Sequence, residues 1–297
     1  MTTLQGIRLA LLGGDGRDQI VVRRLAELGA QVNLFGLPGV EQERVRNVKD
    51  VREALFGVSA LILPMPGIDP TGRVYAPLQS QPVYLSEEDL ALLPTGSPLF
   101  VGVARPNLRT MAESQQLRLV EVAEMDEVAV FNSVPSAEGA VQIAMEKLPI
   151  TIHSSQSLVI GFGRVGITLA RLLKGMGSNV TVAARNSSAR ARAWEMAVEG
   201  VSFEALSDAL ARADIIYNTV PVMVLDEQTL SGTNRDALII DLASAPGGID
   251  FEAARRLGIE ALLVPGLPGK VAPKTAGEIL ARIYPNLIVQ HMLDRRG

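Results

Sequence analysis

Short runs of consecutive apolar residues, each closed by glycine and followed by apolar positions three and four apart, recur along this chain. In the first copy the run over residues 7–12 ends in Gly13, Gly14, Asp15 and Gly16. Ile20, Leu25 and Leu28 then keep helical spacing, Gly29 stops the helix, and residues 32–35 read as the next strand. In the second copy residues 158–160 lead into Gly161, Phe162 and Gly163. Val165, Leu169, Leu172 and Leu173 mark the helix there, and 180–183 the strand after it. Unbroken apolar runs, rather than alternation, are what parallel strands covered on both faces require, and strand–turn–helix–strand is the unit that builds such sheets. Further runs at 60–63, 99–101 and 117–120, and at 215–218, 238–241 and 261–264, extend each copy. The pattern predicts an α/β protein of two Rossmann-like, doubly wound parallel-sheet domains with an interdomain cleft.

The first, substrate-side domain is expected over residues 1–135, completed by a C-terminal helix at 275–297, and the second, nucleotide-binding domain over 150–274. Between them, Ser136 is a good N-cap for a helix over 137–147 that Pro149 ends, so 136–149 reads as the crossing. The stretch 64–98, carrying Pro66, Pro70, Pro77, Pro82 and Pro94, reads as a wrapping loop with one short helix near 87–92 and as a surface for a partner.

Composition narrows the function classes. The 297 residues are 47% hydrophobic, enough for two cores, but only 4% aromatic, and Lys+Arg 28 against Asp+Glu 32 leaves a net charge of -4. That supplies neither a base-stacking platform nor a basic footprint for nucleic acid. With Cys 0 there is no disulfide, thiolate metal site or cysteine nucleophile, and no spacing of His, Asp and Glu suggests a metal. No apolar run approaches the roughly 20 residues of a membrane helix, so a cytoplasmic protein is expected. His153 reads as packing or a polar tether, and His291 as an exposed helix residue.

Gly161, Gly163 and Gly166 form GxGxxG directly after a strand and at the mouth of a helix, the context that gives this pattern its meaning. The first glycine serves the tight turn, the second the approach of a pyrophosphate, the third close packing of helix on strand. Phe162, Arg164 and Val165 complete the cradle. In the first copy Asp15 sits where the pyrophosphate would lie, and like-charge repulsion argues against a second dinucleotide there. The residue closing the strand after the fingerprint selects the nucleotide: an acid holds the ribose 2′-OH, an arginine a 2′-phosphate. Here Arg185, Asn186, Ser187 and Ser188 form a phosphate clamp, and NADP is the expected cofactor. Two strand ends, at Asn218, Thr219, Val220 and Pro221 and at Asp241, Leu242, Ala243 and Ser244, are expected to flank the nicotinamide.

Five stretches carry a resemblance that runs nearly end to end. They are GGDGR at 13–17, FNSVPSAEGA at 131–140, ITIHSSQSLVIGFGRVG at 150–166, DLASAPGGIDF at 241–251 and PGLPGKVAPKTAGEIL at 265–280. With them the chain resembles the family of dipicolinate synthase A subunits. That resemblance implies a nicotinamide-dependent step on the dihydrodipicolinate branch of lysine synthesis, giving pyridine-2,6-dicarboxylate for sporulation in the mother cell. It also implies a partner, the flavoprotein-like B subunit of the synthase. A weaker likeness to D-2-hydroxyacid dehydrogenases lacks that family's acid–base pair: the turn after 241 reads Ala-Ser-Ala-Pro-Gly-Gly, and the later loop has no histidine.

A dianionic substrate needs donors on both walls of its site. Asn132, Ser133 and a helix N-terminus at Ser136 are expected on one wall and the rigid loop carrying Lys270 and Lys274 on the other, with Glu138 as base or as orienter of a lysine. Other NADP-dependent dehydrogenases, of 2-hydroxyacid or methylene-tetrahydrofolate type, and a cofactor-binding regulatory protein without its own chemistry stay open as alternatives, as does a homo-oligomer.

Overall fold

In the computed structural model, which describes residues 2–293, the chain forms two compact units, Met1–Ala129 with Pro273–Gly297, and Val130–Ala272. The first begins with β1 (Arg8–Leu12), α1 (Gly16–Glu27), β2 (Gln31–Phe35), β3 (Val45–Asn47), α2 (Val51–Leu55) and β4 (Ala60–Ile62). It continues with the hairpin β5 (Arg73–Val74) and β6 (Val83–Tyr84), then α3 (Glu87–Leu90), β7 (Pro98–Val101), α4 (Pro106–Ser114) and β8 (Arg118–Glu121). Next comes α5 (Asp126–Lys147). The second unit then repeats the layout: β9 (Gln156–Ile160), α6 (Arg164–Gly175), β10 (Asn179–Ala183), α7 (Ser187–Glu195), β11 (Glu199–Val201), α8 (Leu206–Arg212) and β12 (Ile215–Asn218). It ends with α9 (Glu227–Ser231), β13 (Leu238–Asp241), α10 (Phe251–Leu257), β14 (Glu260–Leu263) and α11 (Leu267–Val271). The long α12 (Pro273–Leu293) returns to the first unit.

Each unit is built on a six-stranded, wholly parallel sheet. The orders are β3-β2-β1-β4-β7-β8 and β11-β10-β9-β12-β13-β14, the same doubly wound sequence twice. In both, the order reverses beside the first strand, and the carboxyl ends of the strands at that point form the ligand-binding edge of open α/β sheets. The central strands are fully buried, as their unbroken apolar runs require: Leu9, Ala10, Leu11 and Leu12 in one sheet, Leu158, Val159 and Ile160 in the other. One edge strand of each sheet, β3 and β11, escaped the sequence pattern, because Val-Arg-Asn and Glu-Gly-Val are short, polar and partly exposed.

Within the first unit α12 packs its Leu280, Ile283, Tyr284, Leu287 and Ile288 into the interior, with the Tyr284 ring edge-on to Phe100 at 6.1 Å between centroids. His291 is a correction: it is half-buried, its ring edge-on to Phe100 at 5.8 Å, rather than exposed. The expected helix at 275–297 starts two residues earlier, at Pro273, and its last four residues lie outside those described.

Three further expectations are corrected. The helix predicted from Ser136 starts at Asp126 and carries Pro135 inside it. Proline in a helix interior costs about 3 kcal/mol; burial of Ala137, Ala140, Val141 and Ala144 from the same helix in the second unit's core offsets it. The stretch 64–98 is no simple loop, because its two-residue strands pair as an antiparallel hairpin, Arg73 with Tyr84 and Val74 with Val83. The rigid loop at 265–275 holds the short helix α11.

Candidate nucleotide-binding site

The two glycine turns look alike in sequence and differ in what their N–H groups do. In the first unit the N–H groups of Gly13, Gly14 and Asp15 are all taken. The Gly13 N–H donates to Phe35 O and the Gly14 N–H to Tyr75 O at 2.7 Å, so the hairpin closes over the turn. Asp15 caps α1 by accepting from the Arg17 N–H, and Asp18 reaches back to accept the Asp15 N–H at 2.9 Å, a reciprocal capping box. The Arg17 guanidinium grips both Asp15 oxygens. Asp15 is thus the turn's own anion, and its charge, with three of the turn's N–H groups already committed, works against a pyrophosphate there.

Asp18 is buried, at 4% exposure, and loss of hydration pushes its carboxyl up to about 6 from an ordinary 3.8, against the lowering pull of the Asp15 N–H. A raised acid in the native state binds protons that the unfolded chain has already released, so stability falls as pH rises from about 4 to 6. Asp18→Asn removes that titration while keeping an acceptor for the Asp15 N–H. We expect the variant's advantage over the parent chain to grow by about 2–3 kcal/mol between pH 4 and pH 7, measured by urea unfolding at each pH. Parallel curves for the two proteins would show that Asp18 does not titrate in that window.

In the second unit the same geometry is left open. Gly161 follows β9 with φ +92°, and a side chain there would overlap the Thr219 hydroxyl. A Cβ on Gly166 would overlap the Gly161 carbonyl, which is how α6 comes to lie close on its strand. At Gly163, by contrast, a Cβ would meet nothing of the protein within 4 Å. No side chain caps α6, and among the described residues the first-turn N–H groups of Gly163 and Val165 have no acceptor. A helix N-terminus with open space above it is a ready anion site, and the cradle fits a dinucleotide's pyrophosphate. Phe162 is half-buried against the second unit's core, while Arg164 is exposed on the first turn.

At the tip of β10, Arg185, Asn186, Ser187 and Ser188 are all exposed. Asn186 caps α7 by accepting the Ala189 N–H, which fixes the loop. The sequence pattern gave Arg190 no role, and its guanidinium donates to the carbonyls of Ala184 and Arg185, both at 2.8 Å. It therefore lies against the tip. Its position five residues past Arg185, one turn into the following helix, is the signal that could have found it.

The strand ends require a correction. Asn218 and Asp241 were expected to contact the cofactor, but both are fully buried with their polar atoms committed to the protein. The Asn218 amide donates to Asp241 Oδ1 at 2.9 Å and to Val220 O at 3.0 Å, and its oxygen accepts the Val220 N–H. Asp241 also accepts from the Ala243 and Gly248 N–H groups. These side chains shape the tips of β12 and β13; they do not reach out of them. Thr219 is tied to Ile160 O, Val220 is half-buried and Pro221 exposed. Leu242 is half-buried, Ala243 is 5% exposed, and only Ser244 of that group is open to solvent.

The expected substrate residues are dispersed. Ser133 is buried, its hydroxyl shared between Val130 O and the Thr168 hydroxyl at 2.7 Å each, so it fastens α5 to the fingerprint helix. Ser136 is inside α5, with no helix N-terminus to offer, and Asn132 is half-buried on the same helix. Glu138 is exposed and borders a shallow depression whose other walls include Val141, Met145 and Leu172. Lys270 is exposed on α11, and Lys274 lies in the first turn of α12, 3.9 Å from Glu278. No group of three or more His, Asp and Glu able to hold a metal occurs among the described residues, and none of their helices is long and apolar enough to cross a membrane.

Comparison with known proteins agrees with this division. Residues 8–123 match the model of the N-terminal domain of the dipicolinate synthase A subunit, and 135–247 that of the D-isomer specific 2-hydroxyacid dehydrogenase NAD binding domain. The dipicolinate synthase A subunit of Bacillus subtilis strain 168 is 37% identical over 289 residues, 97% of each chain. The crystal structure of the A subunit from Bacillus halodurans superposes with a TM-score of 0.93 at 34% identity, covering 96% of this chain and 99% of that one. An L-alanine dehydrogenase, at a TM-score of 0.65 and 14% identity over 95% of this chain and 89% of its own, shares the fold alone. Two parallel-sheet units, a dehydrogenase-type nucleotide cradle in the second and 37% identity along almost the whole length place this chain in the family of dipicolinate synthase A subunits.

Proposed function

We propose that the protein is an NADP-linked oxidoreductase that forms pyridine-2,6-dicarboxylate from dihydrodipicolinate, itself the dehydration product of 4-hydroxy-tetrahydrodipicolinate. The observation that carries the NADP reading is the open cradle at Gly163 together with the exposed Arg185, Ser187 and Ser188 at the tip of β10. When bound, NADP supplies the hydride acceptor. The chain's own part is to hold it: the first turn of α6 faces the pyrophosphate, and the β10 tip, with Arg190 braced against it, faces the 2′-phosphate with charge-assisted donors. The dihydro ring loses a hydride from carbon and a proton from a neighbouring position, and becomes aromatic; no carbonyl is formed or reduced. That agrees with the absence of the hydroxyacid dehydrogenases' Arg and His from the matching turns. The relatives are the A subunit of their synthase, which supports a partner B subunit, while exposed Leu78 and Tyr84 on or near the hairpin suit a contact surface.

Titration with both nucleotides tests the cofactor assignment. NADP is expected to bind at least about tenfold more tightly than NAD, roughly the worth of one charged hydrogen bond, and Arg185→Asp is expected to reverse the order by repelling the 2′-phosphate. Equal affinities in the parent protein would rule NADP selectivity out.

A further inference from the structure

The substrate wall expected on α5 lacks the helix N-terminus and has its Ser133 hydroxyl committed, and the first unit offers a better one. A pocket of about 330 Å³ opens beside the hairpin, at the carboxyl ends of β4 and β7, where open parallel sheets bind their ligands. Its volume is within the range of small-molecule sites. Ile68 and Val74 give it an apolar floor, each only 2% exposed, and Tyr75 stands at the rim. Two arginines complete it. Arg73 comes from the first strand of the hairpin, and Arg105 from the N-cap position of α4, a helix start with no side-chain cap and Pro106 as its first residue. Among the described residues neither guanidinium forms an ion pair or donates a hydrogen bond.

The pocket's one acid, Asp69, offsets part of the Arg73 charge and leaves the two arginines in excess. Asp69 Oδ1 accepts the Thr71 hydroxyl, the Arg73 N–H and the Thr71 N–H, which fix its carboxylate in the turn and hold it below the usual carboxylate range, with the nearby Arg73 charge adding to that. The Asn107 amide donates to Asp69 O at 2.9 Å and ties the start of α4 to the hairpin, which holds the two arginine-bearing elements together. A guanidinium fork matches a carboxylate with two parallel bonds, and two forks over an apolar floor match a flat ring carrying two carboxylates.

We propose that this pocket binds the substrate's dicarboxylate, Arg73 and Arg105 each taking one carboxylate while the ring lies on Ile68 and Val74. The proposal rests on the dicarboxylate reading given above. The test is calorimetric titration of the full-length protein with pyridine-2,6-dicarboxylate, and with pyridine-2-carboxylate as the one-carboxylate comparison. In the parent protein the dicarboxylate binds more tightly. Arg73→Ala and Arg105→Ala, both at exposed positions, each bring it down about tenfold or more, to near the monocarboxylate's affinity, while NADP binding stays within about twofold. Should the parent bind the dicarboxylate, and Lys270→Ala rather than either arginine variant weaken it, the pocket assignment is overturned and the oxidoreductase reading stands. No dicarboxylate binding to the parent, with or without NADP, overturns both.

Discussion

Gly163→Ala is expected to weaken NADP binding by at least tenfold, about 1.4 kcal/mol, while unfolding stability stays within about 1 kcal/mol of the parent. The reason is the empty space around this position: a methyl group there touches no protein atom, so whatever it disturbs is the ligand. Gly166→Ala gives the contrast. Its methyl group would overlap the Gly161 carbonyl, backbone that cannot give way without moving α6 from its strand. We expect it to lose nucleotide binding and about 3 kcal/mol of stability or more, as overpacked core sites do. Nucleotide titration and urea unfolding of the two variants separate the roles. Equal loss of stability in both would mean that Gly163 is only a turn residue.

Asp241→Ala is the second large effect. Asp241 is fully buried and accepts from the Asn218 amide and from the Ala243 and Gly248 N–H groups, so its removal leaves three donors without an acceptor in a place water does not reach. The expected loss is about 3–5 kcal/mol. With it goes the ordered arrangement of the β12 and β13 tips, and NADP affinity should fall although no atom of Asp241 is exposed. Asp241→Asn keeps one acceptor and should lose less than half as much. A urea midpoint for Asp241→Ala shifted by the equivalent of less than about 1 kcal/mol would show that the tips are held by other means.

What was legible in the sequence follows from burial. Strands covered on both faces must be apolar throughout, so β1, β9, β12 and β13 could be read directly, and with them the duplicated fold. The GxGxxG turn was legible because its first and third glycines answer separate steric demands at a fixed spacing, with open space left at the second. The edge strands β3 and β11, short and polar, answer no such demand and look like loops, whereas the more apolar edges β8 and β14 could be read. The start of α5 was misread because Pro135 and Ser136 resemble a helix boundary locally, whereas packing of the alanine face decides globally. Asn218 and Asp241 end their strands where the sequence put them, but their side chains, expected beside the nicotinamide, are buried against each other. Position along a strand does not reveal that two polar side chains satisfy each other. The arginine pocket was invisible for a related reason: Arg73 and Arg105 are distant in sequence and meet only through the hairpin's return over the sheet edge.

One measurement tests the central claim most directly. The protein, alone and with the proposed partner, a B subunit of the synthase, is given 4-hydroxy-tetrahydrodipicolinate and NADP, and reduced nucleotide and pyridine-2,6-dicarboxylate are followed together. The account predicts that both appear at the same rate in equal amounts, and that Gly163→Ala slows both alike at limiting NADP. Formation of the dicarboxylate with no reduced nucleotide, at the same rate in the Gly163→Ala protein, would contradict it.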